Sequence, residues 1–178
     1  MTTAMTYEQL RVIIADAQHH QRGAVLSGAN LRGLALRGIN LHGASLQGAN
    51  LAGADLREAC LSDACLQYAD LRGANMAHAD LRHANMEHAN LSEANLQGAN
   101  LQAAQIGAAN LNQTDLRGAD LRDTYLGILS IDRVDLSTAR RSRGMMAAFR
   151  AWLWGVAGIS RRRSLRPAPV AVVAGIGR

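Results

Sequence analysis

The chain has 178 residues, 48% of them hydrophobic and only 3% aromatic; this excludes disorder throughout and requires a core of small aliphatic side chains. Its net charge of +5 is unevenly held: residues 1–22 balance two Arg against two acids, residues 23–138 carry eight Arg against twelve acids, and residues 139–178 carry nine Arg and no acid. The basic total therefore describes the C-terminal segment 139–178 and misdescribes the body.

In chain order, Thr6-Tyr7-Glu8-Gln9 has the form of a capping box, with Gln9 three residues after Thr6. Leu10, Ile13, Ile14 and Ala17 follow at i, i+3, i+4 and i+7, the apolar stripe of a helix. The pattern predicts a short helix over residues 7–20 and assigns residues 1–22 to an N-terminal cap.

From Leu26 to Leu136 a large apolar residue recurs at every fifth position, 23 times without a skip. Nineteen of these centres are Leu, among them Leu31, Leu51, Leu71, Leu91 and Leu111; Met76, Met86, Ile106 and Ile131 fill the rest. Two residues before each centre stands a small or aliphatic residue, usually Ala, with Leu34, Ile39, Thr114, Thr124, Leu129 and Val134 as the exceptions. A helix would smear centres five apart around its whole surface, and a flat strand would flip every second one to the opposite face. One consistent set is buried only if the chain turns a corner in every unit, and four corners close a square coil of four units. Gly28, Gly33, Gly38, Gly43, Gly48 and Gly53 fall at unit ends, where corners require positive φ. Residues 23–138 then make about six coils, a rod of about 28 Å.

Units such as Ala29-Asn30-Leu31-Arg32-Gly33, Ala54-Asp55-Leu56, Ala69-Asp70-Leu71-Arg72-Gly73 and Ala119-Asp120-Leu121 resemble the pentapeptide-repeat family, with its A-(D/N)-L-x-x consensus. The resemblance implies an all-β solenoid, a right-handed four-sided β-helix with the Leu and Ala positions inward and the other three outward. Outward Asn and Asp, taken from every fourth unit, form columns such as Asn30, Asn50, Asp70, Asn90 and Asn110, expected to bond as ladders between coils.

Residues 139–178 form a basic amphipathic tail. Arg140, Arg141 and Arg143 precede an apolar stretch holding the only Phe, Phe149, and both Trp, Trp152 and Trp154; Arg161, Arg162, Arg163 and Arg166 follow. Met145, Phe149, Trp152 and Val156 share one helical face. Three roles are open to this tail: a cap or homodimerisation helix over the last coil, a cationic amphipathic segment on an anionic membrane or chaperone surface, or contact with nucleic acid. Its apolar run is too short to span a bilayer and contains Arg150.

No constellation in the sequence points to catalysis. His78, His83 and His88, spaced by five, fall at successive corners of a square coil, too far apart to share a metal ion. Cys60 and Cys65 fall on neighbouring sides and read as free thiols. No phosphate-cradling loop precedes a helix, so no catalytic, cofactor or metal site is expected. The expected function is that of a non-enzymatic binding or scaffold module for a protein partner, cytoplasmic by default, with peripheral membrane attachment through the tail as the alternative. Some family members imitate DNA and bind DNA gyrase. This body carries only −4 and lacks the bulky Phe centres common among them, so gyrase is the lesser alternative and direct nucleic-acid binding is not expected.

Overall fold

The computed structural model describes residues 4–126 and 134–141. Helix α1 spans Tyr7–His19. Both halves of the capping box form: the Gln9 N–H donates to Thr6 Oγ1 at 3.3 Å, and the Thr6 N–H donates to Gln9 Oε1 at 2.9 Å. The cap thus satisfies backbone donors that the helix itself cannot. Leu10 and Ala17 are buried, and Ile13 and Ile14 are half-buried against the same core. The Met5 N–H donates to the Asn30 carbonyl at 2.8 Å, tying the segment before α1 to the repeats.

Beyond α1 the backbone pairs with itself at a fixed interval. Parallel bridges join each unit to the fourth unit further on, from Val25↔Ser45 through Asn50↔Asp70 to Asp120↔Arg140. The bridged residue is the one just before each apolar centre. On either side of it the hydrogen bonds run to the coils above and below, as in Leu51 N–H to the Asp70 carbonyl at 2.7 Å and Asp70 N–H to the Ala49 carbonyl at 2.9 Å. Each side of the square supplies one bridge, then turns. The β-structure among the described residues is accordingly a ladder of single bridges, because a five-residue unit leaves no room for a longer strand before the next corner.

Every described corner is a tight turn from the centre to the residue three further on, usually Ala, as in the 3.0 Å bond from Ala54 N–H to the Leu51 carbonyl. Its third residue has φ between +55° and +69° throughout the described rod, as a type II turn requires. Glycine meets this at Gly28, Gly33 and Gly53, but Glu58, His83 and Glu93 adopt it without being Gly. Inside, the Leu31, Leu51, Leu71, Leu91 and Leu111 side chains are buried, and the Ala positions beside most of them are equally closed. Ala is what lets four Leu share one narrow layer. Where Thr replaces Ala, the hydroxyl is satisfied locally: Thr114 donates to the Leu91 carbonyl at 2.8 Å and Thr124 to the Leu101 carbonyl at 2.7 Å.

The four-unit register sorts the units into four faces. Face one carries the centres Leu26, Leu46, Leu66, Met86, Ile106 and Leu126; face two begins at Leu31, face three at Leu36 and face four at Leu41, each returning with every fourth unit.

Candidate functional site

With the interior filled, the chemistry available to a partner lies on the three remaining positions of each unit. The residue before the centre is not fully outward, as the sequence suggested. It is half-buried in most coils, and its side chain turns back on its own unit. Asn50 Oδ1 accepts the Ala52 N–H at 3.1 Å, Asn75 Oδ1 the Ala77 N–H at 3.2 Å, and Asn95 Oδ1 the Gln97 N–H at 3.0 Å. These are Asx turns, which satisfy the first N–H of the corner. The expected ladder between coils is seen at Asn110 Nδ2 to Asn90 Oδ1, 3.1 Å, but the local bond is the rule. The backbone N–H is nearer than the Asn one coil away and is held in place by the turn.

Where Asp replaces Asn and Arg follows the centre, a clamp forms. In Asp55-Leu56-Arg57 the Arg Nε donates to Oδ1 at 2.8 Å and Nη2 to Oδ2 at 2.6 Å. The same bidentate pairing recurs in Asp70–Arg72, Asp80–Arg82, Asp115–Arg117 and Asp120–Arg122. The guanidinium hydrogen bond, against the opposing effect of desolvation, lowers the Asp55 carboxyl to about 2 and holds that of Asp120 lower still. Asp70, Asp80 and Asp115 are lowered for the same reason. Asp135 is lowered chiefly by the backbone N–H of Ser137. Five Asp and five Arg are thereby neutralised within their own units. Asp-Leu-Arg was legible five times in the sequence, but only the structure shows both residues on one corner within bonding reach.

His78, His83 and His88 stand on faces three, four and one, and the described residues hold no cluster of metal-ligating side chains. His88 instead stacks flat on Tyr68 one coil below, ring centroids 4.9 Å apart. Cys60 and Cys65 are free and half-buried. Arg140 lies in the bridge with Asp120, and Arg141 follows it at the position where a further centre would fall. Arg143, Phe149, Trp152, Trp154, Arg161, Arg162 and Arg163 lie outside the described residues. A groove of about 320 Å³, which sequence reasoning missed, runs between α1 and the first coils, lined by Ile14, Ala17, Arg22, Asn40 and His42. Among the described residues no helix is long and apolar enough to cross a membrane.

A coil that closes every fourth unit, with Leu and mostly Ala inward and Asn or Asp before most centres, defines a pentapeptide-repeat β-helix. The family model for pentapeptide repeats (8 copies) matches residues 24–63, 36–73, 64–102 and 99–137, and the chain belongs to that family. With membership comes its right-handed quadrilateral β-helix.

Among solved structures, the chain is similar to HetL, a pentapeptide-repeat protein involved in heterocyst differentiation regulation in the cyanobacterium Nostoc sp. strain PCC 7120. The two share 31% identity over 66% of this chain and 61% of HetL, with a TM-score of 0.38. It is also similar to Rfr23 of the cyanobacterium Cyanothece 51142, at 27% identity over 75% of this chain and 96% of that one, TM-score 0.31. A third is QnrB1, a plasmid-mediated fluoroquinolone resistance protein, at 20% identity over 76% of each chain, TM-score 0.47. No curated protein matches the sequence.

Proposed function

We propose that the chain is a non-catalytic interaction module: a stiff rod of about six coils that presents flat polar faces to a partner protein. The observation that carries this reading is the way the outer side chains are held. Asx turns fix the Asn or Asp that stands before most centres, clamps fix five of the Arg that follow a centre, and bridges between every fourth unit set successive rows in line. Such a surface is preorganised, so a partner meets little ordering cost in its side chains. Proteins of this family typically serve as interaction modules, which agrees with that use.

The test is affinity capture with face-specific variants: Glu93→Arg with Gln113→Arg on face two, Glu58→Arg with His78→Arg on face three, and Asp63→Arg with Asp123→Arg on face four. The proposal expects a discrete partner whose retention is lost with one pair and kept with the other two. Retention of no discrete partner, or equal loss with all three pairs, would count against it.

The clamps bear on the gyrase alternative as well. A DNA-like surface needs rows of uncompensated acids, whereas five of the Asp here are each paired with their own Arg. A supercoiling assay with quinolone present is expected to show no protection. Membrane attachment through residues 139–178 is decided by vesicle co-sedimentation of the full chain against residues 1–138, and equal pelleting would reject it.

A further inference from the structure

Face one differs from the other three in charge. Every Arg of the described rod stands on faces two to four, among them Arg32, Arg57, Arg82 and Arg122. On face one of the described rod the single Arg, Asp or Glu is Glu87, with His88 beside it and otherwise amides, hydroxyls, a thiol and small residues. The same face collects the large exposed apolar side chains of the described rod. Val25, Tyr68 and Tyr125 are exposed by 63%, 59% and 49%. Tyr125 lies over Gly107, where a β-carbon would come within 2.9 Å of its ring. Depletion of charge with exposed Tyr is the composition of a contact surface rather than of a solvated one.

The dimensions of the strip restrict its occupant. Six bridged residues from Val25 to Tyr125 make five layer steps, a length of about 24 Å, and three outward residues give a width of about 10 Å. A surface of that size is far below the ~800 Å² per partner that a stable association between separate proteins buries. It is the width of one α-helix, about 10–12 Å. A single helix bound there is held well only if it is tethered, so that binding is intramolecular.

The sequence supplies a segment of helical spacing to test against that strip. Arg140 is bridged on face four, and a chain that continued the succession from Asp120 on face four to Tyr125 on face one would enter the C-terminal end of face one next. The residues that follow contain Met145, Phe149, Trp152 and Val156 at helical spacing. A helix over residues 143–158 would span about 24 Å, the length of the strip. Residues 139–178 hold nine Arg and no acid; face one offers them no Arg to repel and Glu87 to pair with.

We propose that residues 143–158 fold back along face one and cover it, leaving faces two to four for a partner. The proposal does not rest on the interaction-module reading, because its test needs no partner.

Trp152 and Trp154 are the only Trp in the chain, so tryptophan emission and acrylamide quenching report the tail alone. In the full-length protein the expected result is blue-shifted emission with weak quenching. Gln47→Arg with Gln67→Arg, which puts two charges on face one, should red-shift the emission and raise the quenching constant several-fold. Gln97→Arg with Ser137→Arg, at the same positions on face three, should leave both unchanged, and circular dichroism verifies that each variant is folded. Solvent-exposed Trp in the parent would overturn the proposal. So would an equal response to the face-three pair, which indicates a cap on the rod's end. Shielding lost on dilution would overturn it in favour of a second copy's tail.

Discussion

A left-handed corner in every unit asks most of the side chain that stands there. Face two holds Gly53, Gly73 and Glu93 at one corner in successive coils, at φ of +67°, +61° and +61°, so glycine and a side chain can be compared in one setting. A side chain in this region costs about 1–2 kcal/mol. Glu93→Gly is therefore expected to raise stability by about 0.5–1 kcal/mol, the gain reduced by glycine's greater unfolded-state freedom. Gly53→Val should lower it by about 1 kcal/mol or more; urea unfolding of both variants measures the difference. The clamped Asp carboxyls set a pH dependence. Their pKa values are lower folded than unfolded, so the folded chain binds fewer protons. The stability they contribute is complete above the unfolded value near 4 and is lost as pH falls toward about 2, the Asp55 value. Thermal melting followed from pH 6 to pH 2 should show that loss. It should be smaller in an Asp55→Asn/Asp120→Asn variant. Of these features the glycine corners were legible in the sequence, because positive φ selects Gly. The Asx turns were not, since Asn in every fourth unit is equally consistent with a ladder.

Helix α1 closes one end of a solenoid whose backbone and core would otherwise be exposed. The capping box and the Leu10–Ala17 stripe were legible because both are local patterns. The glycine that joins helix to rod was not. A β-carbon on Gly23 would run into the Gly43 carbonyl one coil above, a contact set by the register and by nothing in the neighbouring residues. The core also departs from Ala near the ends. Leu34 and Ile39 in the first coil and Val134 in the last described one are half-buried rather than enclosed, as expected where layers are stacked on one side only. Thr6→Ala should cost about 1 kcal/mol through the lost cap, and Leu10→Ala about 2–5 kcal/mol. Gly23→Ala should cost about 1–3 kcal/mol although it adds only a methyl. Differential scanning calorimetry of the three variants ranks them.

At the scale of the whole molecule, the repeats act as one stack in which each layer contacts only its neighbours. Leu71→Ala opens a cavity in the middle of the rod, where no neighbouring segment can collapse into it, and should cost about 2–5 kcal/mol. The four-sided plan was legible because a period of five fits neither a helix nor a strand. The unequal charge of the faces was not, since it emerges only when every fourth unit is brought into line. The grouping of outer residues into faces underlies both the interaction reading and the tail proposal, and it depends on the four-unit register. Oxidative crosslinking tests that register directly, in a Cys60→Ser/Cys65→Ser background. Equivalent residues of successive coils on one face should lie about 4.8 Å apart between layers, inside the range a disulfide bridges. Gln47→Cys with Gln67→Cys, four units apart, is expected to form a disulfide readily with the fold intact. Gln47→Cys with Arg72→Cys, five units apart and on neighbouring faces, is expected not to. Failure of the first pair, or equal crosslinking by the second, would contradict the four-sided register.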